Sequence, residues 1–399
     1  MKTVLFVCYG SGHVRMVVPV AQALAASGGV NVQVLGLTTA AAVVRQAGLP
    51  LMQFKDFVTA ADGAAVANGH RLMADLGGNV ADPDETAAYL GLSYADLVVT
   101  HGEQDAARRY AERGRQAFLP LGSLRRILLQ VKPDLVVATN APRGERAAIL
   151  AAGELGIPAV CIVDLFAIDE VAWIGAPDYA QRVCVLNEAV KDFLVRAGRK
   201  PEHIAVTGNP AFEALFDPAV VQQGQALRVS HGWQGKKIIL WPAQTEPAVH
   251  PFNGQPGDPT LPARALQCLI DLVLARDDCV LCVRPRSGEP YPALPDDPRV
   301  LVTGQDWALP PLLHATDLVV TLTSTVGLEG HLVGTRVVQV RGSVFDLAMP
   351  LQAYGLSDEA VPVDGVVGAV KRCLALPRRA VDRQQPAVGR VLDAVRALL

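Results

Sequence analysis

The stretch Thr321-Leu322-Thr323-Ser324-Thr325-Val326-Gly327-Leu328-Glu329-Gly330 decides the fold of this chain. It follows the apolar run Leu318-Val319-Val320, which predicts a buried parallel strand, and it leads into a segment that can be helical. A second apolar strand is predicted at Val337-Val338-Gln339-Val340. Hydroxyl side chains and a glycine therefore lie at a strand-to-helix junction, and the carboxylate of Glu329 follows about one helical turn later.

This junction suits a phosphate group, because the N-terminus of a helix carries unpaired N–H groups and a partial positive charge. A carboxylate at the position of Glu329 can reach the hydroxyls of a ribose. The same residues also fit an ordinary N-terminal cap of a helix, and this stretch alone favours neither interpretation over the other.

The order of strand, turn and helix recurs along the chain. Segments of helical periodicity alternate with continuous apolar runs, among them residues 4–7, 135–138, 159–163 and 238–241. Continuous apolar strands predict parallel sheets that are covered by helices on both faces, which is an α/β fold. Residues 56–118 are less regular and predict a helical insertion.

The α/β pattern restarts near Lys236, so we predict two doubly wound, Rossmann-like domains. Residues 1–220 would form the first and residues 221–378 the second, with the boundary somewhere in 215–235. We expect residues 379–399 to form a C-terminal helix.

Composition excludes several classes of protein. With 399 residues, of which 50% are apolar and 19% charged, the chain is long enough for two globular domains. A net charge of −3 argues against nucleic-acid binding. No apolar run reaches the roughly 18 residues that span a bilayer, and the N-terminal stretch predicts a strand and not a signal peptide. We expect a cytoplasmic protein, and we leave open a peripheral association with the inner face of the membrane.

The cysteines and acidic pairs do not predict a metal site. Most of the seven cysteines lie in apolar runs, which is typical of reduced core thiols. Cys279 and Cys282 have the spacing of a redox or zinc pair, but residues three apart in a strand point to opposite faces. Asp82-Pro83-Asp84 lies in an irregular stretch, where we interpret it as a turn.

The first loop that could carry chemistry is Gly10-Ser11-Gly12-His13. Its glycines allow a ligand to approach the backbone closely. Arg15 stands where a dinucleotide fingerprint requires a third glycine, which argues against NAD. His13 at the start of a helix suits a general base, although a capping or core histidine would look the same.

Two loops of the second domain carry groups that bind anions. Gln244 and Thr245 follow the strand at residues 238–241, and both could donate hydrogen bonds to a phosphate or an acceptor. Arg284 and Arg286 follow the next predicted strand, where two guanidinium groups would clamp an anion. A pattern of surface ion pairs is the alternative for the two arginines.

Two loops of the first domain carry polar groups at strand ends. Asn140 and Arg143 follow the strand at residues 135–138, and Asp164, Asp169 and Glu170 follow the strand at residues 159–163. These side chains could contact a sugar or an acceptor, or they could cap helices.

Residues 10–24 resemble the glycine–histidine opening of GT-B glycosyltransferases, and Pro19 within the first helix belongs to that resemblance. Residues 312–338 resemble the donor-binding segment of the same superfamily, and they also resemble the UDP-N-acetylglucosamine 2-epimerases, which share the fold. The resemblance implies that Ser324, Thr325 and Gly327 hold a diphosphate and that Glu329 holds the ribose.

Residues 206–215 resemble the hinge segment of those epimerases, which implies a hinge at Gly208 and Asn209. The GT-B resemblance also implies that the C-terminal helix of residues 379–399 packs back on the first domain. Two departures favour a transferase over an epimerase. Thr139-Asn140 stands where the epimerases carry Gly-Asp, and residues 162–166 lack their His-x-Glu-Ala-Gly motif. The acids that would move the C2 proton are therefore missing or displaced.

We therefore predict a GT-B fold with two domains facing across a cleft. The enzyme would transfer a sugar from a nucleotide-sugar, most simply a UDP-sugar, to a glycan, lipid-linked or small-molecule acceptor, with His13 as base and no metal or other cofactor. An epimerase or hydrolase and a non-catalytic nucleotide-sugar-binding protein are the alternatives. The residues that we predict to bind the donor are Gly12, Gln244, Arg284, Arg286, Thr323, Ser324, Thr325, Gly327 and Glu329.

Overall fold

The chain folds around two parallel sheets. A computed structural model describes residues 1–10, 12–74, 76, 80, 82–251, 253–286, 293–304, 307–381 and 386–399. Met1–Ala211 and Gln385–Leu399 form one unit, and Phe212–Gln384 form the other. Each unit contains one of the sheets.

The first unit contains seven parallel strands among its described residues. They are β1 (Lys2–Cys8), β2 (Val30–Gly36), β3 (Leu51–Met52), β4 (Leu135–Thr139), β5 (Ala159–Ile162), β6 (Arg182–Val185) and β7 (Ile204–Val206). Their order in the sheet is β3-β2-β1-β4-β5-β6-β7, so the direction of winding reverses between β1 and β4. A reversal of this kind opens a crevice beyond the carboxyl ends of the two strands.

Helices cover both faces of this sheet, which explains why its strands are apolar throughout. Residues 4–8 of β1 are completely buried. The helices up to the end of β7 are α1 (Gly12–Ala26), α2 (Ala40–Gln46), α3 (Gly63–Ala74), α4 (Pro83–His101), α5 (Glu103–Arg113), α6 (Leu121–Val131), α7 (Gly144–Glu154), α8 (Val171–Ile174) and α9 (Glu188–Arg196). Helices α3, α4 and α5 make up the insertion that the irregular residues 56–118 predicted.

The second unit repeats this design with six parallel strands among its described residues. Its elements are α10 (Pro218–Ser230), β8 (Lys237–Pro242), α11 (Leu261–Leu274), β9 (Cys279–Arg284), β10 (Val300–Val302), α12 (Leu309–Ala315), β11 (Leu318–Thr321), α13 (Thr325–Leu332), β12 (Arg336–Val340), β13 (Glu359–Val361) and α14 (Val366–Ala375). The strand order is β10-β9-β8-β11-β12-β13, so the winding reverses between β8 and β11.

The last helix, α15 (Ala387–Arg396), belongs to the first unit. It packs on α1 and against β5 and β6. Val391, Leu392, Ala394 and Val395 are buried in the same apolar cluster as the side chains of β1.

The two units divide between residues 211 and 212, earlier than the 220/221 boundary that the sequence predicted. The reason is that α10 precedes the first strand of its unit and packs on α12. His314 Nε2 of α12 also lies 2.7 Å from the Leu215 carbonyl oxygen. The restart of the apolar pattern near Lys236 marks the first strand of the second unit and not its first residue.

The seven cysteines are free thiols, and all except the half-buried Cys268 are buried. Burial raises the pKa of Cys279 to about 11 and that of Cys282 to about 12. These are inert core thiols, as their apolar surroundings in the sequence indicated. No helix of the described chain combines the length and apolar character that a membrane crossing requires.

Candidate functional site

A cavity of about 340 Å³ lies in the first unit, where the winding of the sheet reverses. The loop that follows β1 and the loop that follows β4 supply most of its wall. The residues that line it are Tyr9, Gly10, Gly12, His13, Ala141, Pro142, Arg143 and Asp164. Four of the predicted site residues, Gly12, His13, Arg143 and Asp164, therefore line one cavity although they come from three separate parts of the sequence.

His13 lies in the first turn of α1, beside a buried carboxylate. Glu145, in the first turn of α7, is 1% exposed and accepts a hydrogen bond from the Tyr9 N–H at 2.6 Å. Burial raises the pKa of Glu145, and the nearby imidazole of His13 opposes that rise. The Nδ1 atom of His13 is buried, and no described residue hydrogen-bonds it. The imidazole can therefore accept a proton next to a group that stabilises the resulting positive charge.

Asn140 and Asp164 join the ends of β4 and β5. The Asn140 Nδ2 atom donates to Asp164 Oδ1 at 2.9 Å, and the Asp164 N–H donates to Asn140 Oδ1 at 3.0 Å. Asn140 is completely buried, whereas Asp164 is half-buried and lines the cavity. The structure thus gives Asn140 the role of holding Asp164 in place.

Glu170 is a second carboxyl group beside Asp164. It is half-buried just before α8, and burial together with the Asp164 charge raises its pKa to about 7. A carboxyl group with such a pKa can exchange protons near neutral pH.

Arg143 is stacked on Tyr9 at the wall of the cavity. Its guanidinium carbon lies 5.1 Å from the centroid of the Tyr9 ring, which is a cation–π contact. Tyr9 in turn lies 6.3 Å, between ring centroids, from the buried ring of Tyr89 on α4. The aromatic pair fixes the guanidinium beside the cavity.

In the second unit, Gln244 forms hydrogen bonds to residues 321–323, where β11 ends and the loop to α13 begins. Its Oε1 atom accepts hydrogen bonds from the Thr321 hydroxyl at 2.9 Å, the Leu322 N–H at 3.0 Å and the Thr323 N–H at 3.2 Å. Its Nε2 atom donates to the Thr323 hydroxyl at 3.1 Å. Gln244 therefore organises the loop between β11 and α13.

The start of α13 is capped by the chain itself. The Ser324 N–H donates to the Thr321 hydroxyl at 3.2 Å, and the Ser324 hydroxyl accepts from the Val326 N–H at 3.2 Å. A phosphate at this N-terminus would have to share these donors with the Ser324 cap, while Thr325 is exposed at the first helical position.

Gly327 is buried and serves close packing. A Cβ atom there would lie 2.8 Å from Thr321 Cγ2 and 2.9 Å from Leu351 Cδ1, which is closer than van der Waals contact allows. The absence of a side chain lets α13 lie tightly on β11 and β12. The geometry therefore accounts for this glycine by packing, with no phosphate contact required.

The two arginines and Glu329 lie at the same edge of the second sheet. Arg284 is half-buried and its Nη1 atom donates to the Trp307 carbonyl oxygen at 2.8 Å. Burial lowers the pKa of Arg284, and the charge of Glu329 opposes that shift. Arg286 is exposed and its Nη1 atom donates to the Thr245 hydroxyl at 3.1 Å.

The predicted hinge residues follow β7. Gly208 has a φ of +74°, a backbone conformation that favours glycine. The Asn209 Nδ2 atom donates to the Asp164 carbonyl oxygen at 2.7 Å. From α15, the Arg390 Nε atom donates to the Thr207 carbonyl oxygen at 2.8 Å. This segment is thus tied both to the last helix and to a residue of the cavity.

No protein-family model matches the chain, and no curated protein matches it. Solved structures match it over its whole length. A UDP-GlcNAc 2-epimerase from Neisseria meningitidis, bound to UDP-GlcNAc, is 12% identical with a TM-score of 0.59, and the match covers 100% of this chain and 99% of that one. MnaA of S. aureus with UDP is 13% identical, with a TM-score of 0.58 and coverages of 100% and 98%.

The glycosyltransferase SnogD from Streptomyces nogalater is 17% identical, with a TM-score of 0.51 and full coverage of both chains. Epimerases and transferases thus share the two-sheet architecture described above. The chain has the GT-B fold. Within this GT-B chain, the reversal points of the two sheets carry the His13 cavity and the Gln244 loop.

Sequence reasoning did not select Glu145 as a site residue of the GT-B chain, and it considered Glu170 only beside Asp164 and Asp169, as a residue that could contact a sugar or cap a helix. Both were visible as acids shortly after predicted strands, but their burial and their neighbours come from the packing of the sheet. The role of Gln244 was also not visible, because its partners lie 77 to 79 residues away in the chain.

Proposed function

We propose that the chain is a glycosyltransferase that moves a sugar from a nucleotide-sugar to an acceptor hydroxyl. The observation that carries this proposal is the position of His13 at the wall of the first-unit cavity, with the buried carboxyl group of Glu145 nearby. A base of this kind is what the deprotonation of a hydroxyl nucleophile requires.

In the proposed reaction, His13 accepts the proton of the acceptor hydroxyl as the oxygen attacks the anomeric carbon. The bond between the anomeric carbon and the donor phosphate oxygen breaks, and the nucleoside diphosphate leaves with the bonding electrons. Glu145 stabilises the imidazolium that forms. Asp164, which Asn140 holds in place, would orient an acceptor hydroxyl.

The donor side of the proposal uses the second unit. Thr325 and the start of α13 would hold the diphosphate together with Arg284 and Arg286, which offset the charge on the leaving group. Glu329 would accept hydrogen bonds from the ribose. Gln244 would act indirectly, by fixing the loop that carries Thr323 and Ser324. A UDP-sugar is the donor that we propose, and a glycan, lipid-linked or small-molecule acceptor is its partner.

A thermal-shift screen of nucleoside diphosphates followed by turnover assays tests this proposal. We expect UDP to raise the melting temperature and UDP release from a UDP-sugar to require an acceptor. His13→Ala should reduce turnover about 10²- to 10⁴-fold without loss of UDP binding. His70→Ala, on an exposed face of α3, is the matched control. If no nucleoside diphosphate protects the chain against heat, the proposal is wrong.

The carboxyl pair of Asp164 and Glu170 favours a second candidate, a sugar-nucleotide 2-epimerase. One carboxyl group at the cavity could take the C2 proton as the nucleoside diphosphate leaves C1 with the bonding electrons and a C1–C2 double bond forms. The neighbour with a pKa of about 7 could return a proton to C2 as the diphosphate adds back to C1. Incubation with UDP-N-acetylglucosamine in heavy water, without an acceptor, separates the two candidates. Deuterium at C2 would establish the epimerase, and its absence together with acceptor-dependent UDP release would establish the transferase.

A further inference from the structure

Arg143 is a half-buried cation directly before helix α7. Its guanidinium lies over the Tyr9 ring, and throughout the described chain no carboxylate comes within ion-pair distance of it. Both Arg143 and Tyr9 line the first-unit cavity. A half-buried guanidinium with several N–H donors is well suited to bind a carboxylate or phosphate in two-point fashion.

The surroundings of Arg143 add positive potential to this wall of the cavity. Helix α7, of 11 residues, begins at Gly144 directly after it, and α1, of 15 residues, begins at Gly12 on the same cavity. Both helices direct the positive ends of their dipoles here. The buried carboxyl group of Glu145, in the first turn of α7, is a nearby acid, and the charge of Arg143 opposes the rise of its pKa on burial.

Other residues that line the cavity accept hydrogen bonds. Asp164 Oδ1 already accepts from Asn140 and, at 2.7 Å, from the Leu165 N–H, while the side chain still lines the cavity. Together with His13 it forms a wall that suits hydroxyl groups. The lining of the cavity therefore combines the guanidinium of Arg143 with side chains that can accept hydrogen bonds from hydroxyl groups.

We propose that the acceptor is a hydroxylated molecule with an anionic group, a carboxylate or a phosphate, that pairs with Arg143 while a hydroxyl of the same molecule reaches His13. This inference rests on the proposed transferase function, because it assigns the cavity to the acceptor. It narrows the acceptor class to acidic or phosphorylated sugars and excludes neutral ones.

Binding of four small probes to the full chain tests the inference, measured by ligand-observed NMR titration. The probes are D-glucose, D-glucuronate, D-glucose 6-phosphate and inorganic phosphate. We expect at least one charged sugar to bind about tenfold or more tightly than glucose. Glucuronate as the tighter probe would identify a carboxylate, and glucose 6-phosphate would identify a phosphate. Arg143→Gln should abolish the tighter binding of the charged sugar relative to glucose, and Arg143→Lys should retain part of it. Arg15→Gln, which removes an exposed cation of α1, should leave this difference in affinity unchanged.

Three results would overturn the inference: equal binding of glucose and the charged sugars, a preference that survives in Arg143→Gln, or no binding of either charged sugar. Inorganic phosphate that binds as tightly as glucose 6-phosphate would also overturn it, because Arg143 would then serve a bare phosphate and not an acceptor. These failures leave acceptor-dependent UDP release and its dependence on His13 untouched, so they are distinguishable from failure of the proposed function.

Discussion

Gln244 Oε1 accepts a hydrogen bond from the Thr321 hydroxyl at 2.9 Å, and this pair joins the carboxyl ends of β8 and β11. These are the two strands between which the second sheet reverses its winding. The same oxygen also holds the Leu322 and Thr323 N–H groups. One side chain thus determines the shape of the loop that precedes α13.

Replacement of Gln244 should weaken nucleotide binding. Gln244→Met removes the acceptor of three hydrogen bonds, and each buried donor left without a partner costs about 1–3 kcal/mol. We expect the affinity for UDP to fall at least about tenfold in calorimetric titrations. Gln267→Met, on the exposed side of α11, is the matched control and should bind UDP like the parent chain. If the affinity of Gln244→Met for UDP is unchanged, nucleotide binding does not depend on the hydrogen bonds that Gln244 makes to this loop.

Glu145→Gln should separate catalysis from folding. The glutamine oxygen can still accept the Tyr9 N–H, but the charge that stabilises an imidazolium at His13 is lost. Because burial already disfavours the ionised carboxylate, the neutral substitute should not lower the midpoint of chemical unfolding. We expect turnover to fall at least about tenfold with stability retained. A loss of stability without a loss of turnover would assign Glu145 a purely structural role.

Glu85 should make stability depend on pH. It is 0% exposed in α4, and burial raises its pKa from 4.5 to about 7. The unfolded chain therefore releases this proton at lower pH than the folded chain, so the free energy of unfolding falls as pH rises from 4.5 towards 7. The size of this effect is on the order of 3 kcal/mol.

Urea unfolding of Glu85→Gln at pH 5 and at pH 7.5 tests this prediction. The variant keeps an oxygen for the Lys55 N–H, which donates to Glu85 Oε2 at 3.0 Å, but it cannot ionise. We expect a smaller loss of stability between the two pH values than in the parent chain. Glu112→Gln, on exposed α5, should preserve the parental slope, and an equal slope in Glu85→Gln would contradict the prediction.

Two glycines make the crossing of α3 and α4 possible. A Cβ atom at Gly91 would overlap the Ala65 carbonyl oxygen, and one at Gly69 would overlap the Ala87 carbonyl oxygen. Gly91→Ala must push the helices apart, and we expect it to lower the free energy of unfolding by about 1–3 kcal/mol. Gly153→Ala in α7 meets no atom within 4 Å and should stabilise the chain by up to about 1 kcal/mol. Chemical denaturation compares the two, and equal effects would disprove the close crossing.

Local patterns predicted most of the strands, because an apolar run or a glycine turn is encoded by neighbouring residues, whereas the short strands β3 and β13 were not predicted. The apolar runs around Val4 and Val319 and the cap at Ser324 are of this kind. Local patterns also located the loops that follow β1, β4, β8 and β11. The reversal of winding then brings the ends of β1 and β4 together, and likewise those of β8 and β11. That reversal is a property of the sheet order, which depends on contacts between distant segments.

Three features of the candidate site could not be predicted, because they also depend on contacts between distant segments. They are the burial of Glu145, the raised pKa of Glu170 and the hydrogen bonds between Gln244 and residues 321–323. Each depends on which side chains surround the residue once the sheet has formed. Gly327 shows the converse case: its position beside hydroxyls suggested a phosphate contact, but the atoms nearest to a Cβ there belong to Thr321 and Leu351.

The burial of α15 in the core of the first unit has a consequence for synthesis on the ribosome. Residues 1–211 emerge first, but Val391 and Val395, which complete their apolar core, are translated only after the whole second unit. The second unit is contiguous in sequence and can fold as it emerges. The first unit must therefore expose an uncovered face of α1 until translation of the last helix is finished, and during that interval it is the half of the nascent chain that needs protection from aggregation.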